Sequence, residues 1–129
     1  MRRRPSLVIL FLLAALVLAG CAQGSAAEVV EKYLEAKVAS DADELVSLSC
    51  KAWEEQAELA ALPFESVEAE IQDMSCDENG EDGDFTLVSC EGKIVVAYRG
   101  ETREFSLNES TYRATEEDGE WKMCGEEEK

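Results

Sequence analysis

The chain has no histidine at any of its 129 positions. That absence removes Ser–His–Asp and Cys–His nucleophilic chemistry and every zinc hydrolase site built on imidazole. No C-x-x-C pair occurs among its five cysteines, so a thiolate zinc site lacks its usual spacing as well. Basic residues are scarce: 12 Lys+Arg stand against 29 Asp+Glu, a formal charge of −17. A field of that sign repels nucleic acid, which excludes nucleic-acid binding as a function class. A long apolar run is missing too. Leu7 to Ala19 is apolar over 13 residues, and a helix that crosses a hydrocarbon core needs roughly 20. Carboxylates, tyrosines and lysines remain for catalysis, and a surface this acidic supplies them by chance.

What is present starts at the N-terminus. Arg2, Arg3 and Arg4 make a cationic start, and the apolar run behind them ends in small residues. This is the three-part layout of a secretory signal. Its last residues, Leu18-Ala19-Gly20-Cys21, resemble the lipobox of bacterial lipoproteins. The resemblance implies that residues 1–20 are a signal peptide. It also implies that Cys21 becomes an N-terminus carrying a diacylglycerol and usually an N-acyl chain such as palmitate. The alternative is an uncleaved anchor helix, but an anchor has no need of Ala19 and Gly20 directly before a cysteine. One acyl chain holds a protein only marginally, at about 0.8 kcal/mol per buried methylene, whereas two or more hold it stably. The expected location is the extracytoplasmic face of a bacterial membrane, with that membrane as a partner through Cys21. Residues 21–24 are the lipidated cysteine and a tether, and Ala22, Gln23 and Gly24 reach about 10 Å fully extended.

Without residues 1–20 the chain is 109 residues long, enough for one domain. Its nine remaining bases face all 29 acids, a charge of −20. Solubility is the plain account of that acidity, and capture of a cation or a basic partner is the sharper one. Cys50, Cys76, Cys90 and Cys124 are an even set in a compartment where disulfides persist, and four cysteines allow three pairings.

Ser25-Ala26-Ala27-Glu28 reads as a capping box ahead of a helix that carries Val30, Tyr33, Leu34, Lys37 and Val38 at helical spacing and ends near Ala39. Ser40 or Asp41 caps a second helical region, broken or double, that Pro63 stops. The period then changes to two. Val67, Ala69 and Ile71 alternate with polar residues, 77–84 forms an acidic glycine-punctuated loop, and a second strand runs from Phe85 to Tyr98. Strands at Thr102–Leu107, Ser110–Glu117 and Glu120–Cys124 follow, the last two joined at Asp118-Gly119, and 126–129 is a disordered acidic tail. The sum is an α+β domain over 25–125: N-terminal helices packed on one face of a curved antiparallel β-meander. Its expected core includes Val30, Leu34, Leu45, Leu48, Trp53, Ile71, Ile94, Val96, Phe105 and Trp121.

That order resembles the NTF2-like, cystatin-like group, in which a helical N-terminus packs across a bent sheet. More narrowly, Ser49-Cys50-Lys51-Ala52-Trp53, Cys90-Glu91-Gly92-Lys93-Ile94 and Gly119-Glu120-Trp121-Lys122-Met123-Cys124-Gly125 look like pieces of small bacterial lipoproteins of unknown function. The resemblance implies the fold and no catalytic set, since the group ranges from enzymes to pure binding domains.

Three readings bear on function. Tyr33, Trp53, Tyr98, Tyr112 and Trp121 either line a cavity between sheet and helix or simply fill the core, the commoner fate of aromatics at this spacing. Asp77, Asn79, Asp82 and Asp84 suggest a loose calcium site or a solvated hairpin; an EF-hand fails, because Asp82 and Val88 stand at its sixth and twelfth positions. For the disulfides, an antiparallel pair around 77–84 brings Cys76 opposite Cys90, which leaves Cys50 for Cys124. Strict pairing beyond Asp118-Gly119 points Cys124 away from the helices, so the second bond needs a frayed end or a bulge at that final strand residue to redirect its side chain. No metal, cofactor or catalytic residue is assigned. The expected function is a non-catalytic ligand- or protein-binding module. The alternative is a small enzyme using a carboxylate or tyrosine in a cone-shaped pocket.

Overall fold

A computed structural model describes residues 24–129. The signal segment, Cys21 and most of the tether lie outside the described residues.

Helix α1 (Ala26–Val38) starts where Ser25 Oγ accepts the Glu28 N–H at 3.1 Å. It buries Val30, Tyr33 and Leu34 against the sheet. Asp41 Oδ1 caps α2 (Ala42–Ser47) in the same way, through the Glu44 N–H at 3.1 Å. A 3-10 turn at Lys51–Trp53 separates α2 from α3 (Glu54–Ala60), so the second helical region is two short helices. Leu62–Phe64, with its proline, ends them.

Five strands form one antiparallel sheet: β1 (Glu68–Asp82), β2 (Phe85–Tyr98), β3 (Glu101–Ser106), β4 (Ser110–Glu117) and β5 (Glu120–Glu128). α1 packs on β1, β2, β4 and β5. The domain is α+β, helices on one face of a curved antiparallel sheet, as the resemblance to the NTF2-like group implies. It departs from a simple meander at β3. β2 is long enough to hold two strands on one edge, so β3 pairs with Lys93–Tyr98 and β4 with Thr86–Ser89. The 3-10 turn Leu107–Glu109 makes the step between them by burying Leu107.

Two segments differ from the sequence reading. The loop at 77–84 is mostly strand: β1 runs to Asp82, pairs it with Phe85, and leaves only Gly83 and Asp84 to turn. A strand whose acids face solvent on an outer ladder reads in sequence as a polar loop. The tail at 126–129 is also ordered as strand through Glu128, with Thr111 opposite Glu127 and Ser110 opposite Glu128. Glutamate disfavours strands, but here β4 supplies the ladder and Arg113 and Lys37 pair with Glu127 and Glu126.

Both disulfides follow from these registers. Cys76 and Cys90 stand directly opposite, with Cα atoms 4.1 Å apart. The Cys76 N–H donates to Glu31 Oε1 at 3.1 Å, as expected of a pair that exchanges no ladder bonds, where side chains are closest. Cys50 bonds Cys124. The Cys50 N–H reaches the Met123 carbonyl and the Met123 N–H the Leu48 carbonyl, each at 2.8 Å. Meanwhile Ala114 pairs with Met123 and Arg113 with Gly125, which makes Cys124 the extra residue of a bulge.

The core centres on Tyr33, Leu34, Leu45, Val88, Tyr112 and Met123. Val30, Leu34, Leu45 and Ile94 are buried as expected, whereas Leu48, Trp53, Ile71, Val96 and Trp121 are only partly so. Phe105 corrects the expectation outright at 51% exposure. It shares a face with its partner Ile94 but lies where no helix covers the sheet. Met123→Ala should therefore cost about 2–5 kcal/mol in a urea titration, and Trp121→Ala less.

Candidate ligand-binding cavity

Uncovered sheet beside a short helix leaves space. β2 turns Ile94 and Val96 toward the helices, and register places Phe105 of β3 on the same face. Leu34 of α1 closes one side, and Pro63, Phe64 and Val67, the chain leaving α3, close another. Between them lies an open cavity of about 870 Å³. That is the size that holds a drug-sized molecule.

Its polar wall comes from α1, the 3-10 turn Leu107–Glu109, the start of β4 and the end of β5. Lys37 Nζ stands 3.3 Å from Glu126 Oε2, and Ser110 Oγ donates to Glu126 Oε1 at 3.4 Å. Glu109, Glu128 and Lys129 stand at the same wall, the Lys129 N–H bonded to the Glu109 carbonyl at 2.8 Å. Tyr112 lies 2% exposed behind Glu126. Burial raises its phenol well above the ordinary value, the Glu126 charge adds to that, and a bond with Ser110 offsets part. Tyr33, buried and bonded by Trp53 Nε1 at 3.2 Å, is raised chiefly by burial too.

These shifts set a pH dependence. A phenol whose folded pKa is raised contributes stability in full below its unfolded value near 10.0, and that contribution is lost as pH rises toward the folded value. Stability should hold to about pH 9 and fall beyond pH 10, because only the unfolded chain releases these two protons easily. Denaturant midpoints from pH 8 to 11 check this. Tyr112→Phe should flatten the alkaline fall, and an unchanged fall would refute the assignment.

Of the five aromatics singled out in the sequence, only Tyr112 lines this cavity. Tyr33 and Trp53 form a bonded pair in the core, Trp121 flanks a small groove beside Gly24, and Tyr98 is exposed under the Arg99 guanidinium at 5.1 Å. The cavity's other rings are Phe64 and Phe105. Phe105 carried a signal, its parity with Ile94; Phe64, in a turn after a proline, carried none. The proposed calcium ligands do not converge. Asp77, Asn79 and Asp82 are strand residues, Asn79 bonds Ser89, and Asp82 pairs with Arg113 at 3.3 Å. Among the described residues no three Cys, Asp or Glu side chains are placed to hold a metal ion.

No protein-family model and no curated protein matches the sequence. Solved structures do. A SEC-C motif containing protein from Rhodopseudomonas palustris superposes with a TM-score of 0.53 at 15% identity, covering 82% of each chain. A Mycobacterium tuberculosis LEH-like epoxide hydrolase gives 0.48 at 17% identity over 77% of this chain and 80% of its own. A designed NTF2 protein gives 0.47 at 12% identity over 74% and 89%. At such identities the likeness is one of fold, and the two lower scores carry no further argument.

Proposed function

We propose that the chain is a lipid-anchored, extracytoplasmic lipoprotein of NTF2-like type whose single domain binds a small ligand without altering it. The cavity carries this reading: an apolar floor of Leu34, Phe64, Val67, Ile94, Val96 and Phe105 under one polar wall is how small-molecule sites are built. The location rests on the lipobox-like Leu18-Ala19-Gly20-Cys21 and on two disulfides, which suit an oxidising compartment. Among the described residues no helix is long and apolar enough to cross a membrane.

The enzyme reading has one observation in its favour, the juxtaposition of Glu126 and Tyr112 at the cavity. Against it, Lys37 and Ser110 already engage Glu126, and burial holds the Tyr112 phenol away from the ionised form a base would need.

Mass spectrometry of the chain extracted from membranes tests both halves. Under denaturing conditions it should begin at an acylated Cys21 and lack residues 1–20; a soluble form starting elsewhere would contradict the anchor. Under native conditions it should carry a bound small molecule that Val96→Trp, which fills the cavity, displaces. A ligand retained by Val96→Trp would place binding elsewhere, and a ligand chemically converted on standing would favour the enzyme.

A further inference from the structure

Resting on the reading of the cavity as a ligand site, we infer that the ligand is a hydrophobic cation: an apolar body bearing one amine or quaternary ammonium group. Three observations meet there. The floor is apolar and large enough to take a hydrocarbon chain or ring system. Phe64 and Phe105 bring aromatic rings to its lining, a surface that favours a cation over an anion. Lys37 is matched by Glu126 at 3.3 Å, which leaves Glu109 and Glu128 on the wall against Lys129 alone. The wall is thus net acidic. The whole chain reinforces it, because a formal charge of −17 concentrates cations at the surface and drives anions away. A fatty acid would be repelled by the chain's net charge and by the surplus carboxylate on the wall. A neutral lipid would gain the floor and nothing from the wall.

Three probes of equal chain length decide the matter by isothermal titration of the folded, disulfide-bonded chain: octyltrimethylammonium, 1-octanol and octanoate. The cation should bind about tenfold or more tighter than octanol, and octanoate weaker than either. Added salt should narrow the gap between cation and octanol. Glu126→Gln, which frees Lys37, should abolish most of the cation's advantage over octanol. Glu128→Gln, at an exposed strand end, should reduce the same advantage without risk to the core.

Octanol binding as tightly as the cation would overturn the inference while leaving the cavity reading intact. Octanoate binding tightest would overturn it in the opposite sense. Failure of all three probes would overturn the cavity reading itself.

Discussion

Cys50→Ala with Cys124→Ala should cost this domain about 4–5 kcal/mol, a large share of the stability that a chain of this size possesses. The bond spans 74 residues, and the chain entropy that a cross-link removes from the unfolded state grows with the loop it closes. Cys76–Cys90 spans only 14, so its removal should cost about 3 kcal/mol. The folded state argues in the same direction. Cys50 sits at the break between α2 and α3, and the segment Leu48 to Cys50 meets β5 through two backbone bonds to Met123 and the disulfide to Cys124. The Cys76–Cys90 bond, by contrast, joins two strands already paired along their length. Urea denaturation followed by tryptophan fluorescence should rank the two pairs in that order. Non-reducing peptide mapping of the wild type should return Cys50–Cys124 and Cys76–Cys90 fragments. Equal costs, or a Cys50–Cys76 fragment, would contradict this account.

Gly92→Ala should cost about 3 kcal/mol or more, although it adds a single methyl group. Gly92 lies opposite Asp73 and Met74, where the register of β1 against β2 shifts between Gln72 and Ser75. Its φ is +105°, a conformation that side chains rarely adopt. A Cβ there would stand 2.7 Å from the carbonyl oxygens of both Gln72 and Asp73 and 2.8 Å from the Asp73 carbonyl carbon. Those are backbone atoms of a paired strand, so relief would mean moving the strand. Gly100 is the control. Its φ is +79° but nothing lies within 4 Å of its Cβ position, so Gly100→Ala should cost only about 1 kcal/mol. Denaturant midpoints of the two variants measure the difference. Similar midpoints would mean that the bulge yields easily.

Helices, most strand positions and the last hairpin turn were legible because each has a local cause. Ser25 and Asp41 are caps, the switch from period 3.6 to 2 falls after Phe64, and Asp118-Gly119 supplies two residues with positive φ for a tight hairpin. The misreadings share another cause. Residues 77–82 and 126–128 become strand because a neighbour offers a ladder, a long-range fact that overrides the poor strand preference of Asp and Glu. The second disulfide needed either a frayed strand end or a bulge to turn Cys124; the strand continues to Glu128 and the device is the bulge, which nothing in Met123-Cys124-Gly125 announces. The cavity was least legible of all. Apolar alternation says which face Phe105 occupies; whether a helix covers that face depends on where α1 stops and how β2 divides its edge between β3 and β4.

The most direct test of the binding site is methyl NMR of Leu34, Val67, Ile94 and Val96 during a titration with 1-octanol, in the wild type and in Val96→Trp. Saturable shifts confined to those methyls, and lost in Val96→Trp, are the predicted result. Shifts centred instead on the exposed Leu59 and Leu62, or unchanged by Val96→Trp, would show adsorption to apolar surface and contradict the assignment of the cavity as the site.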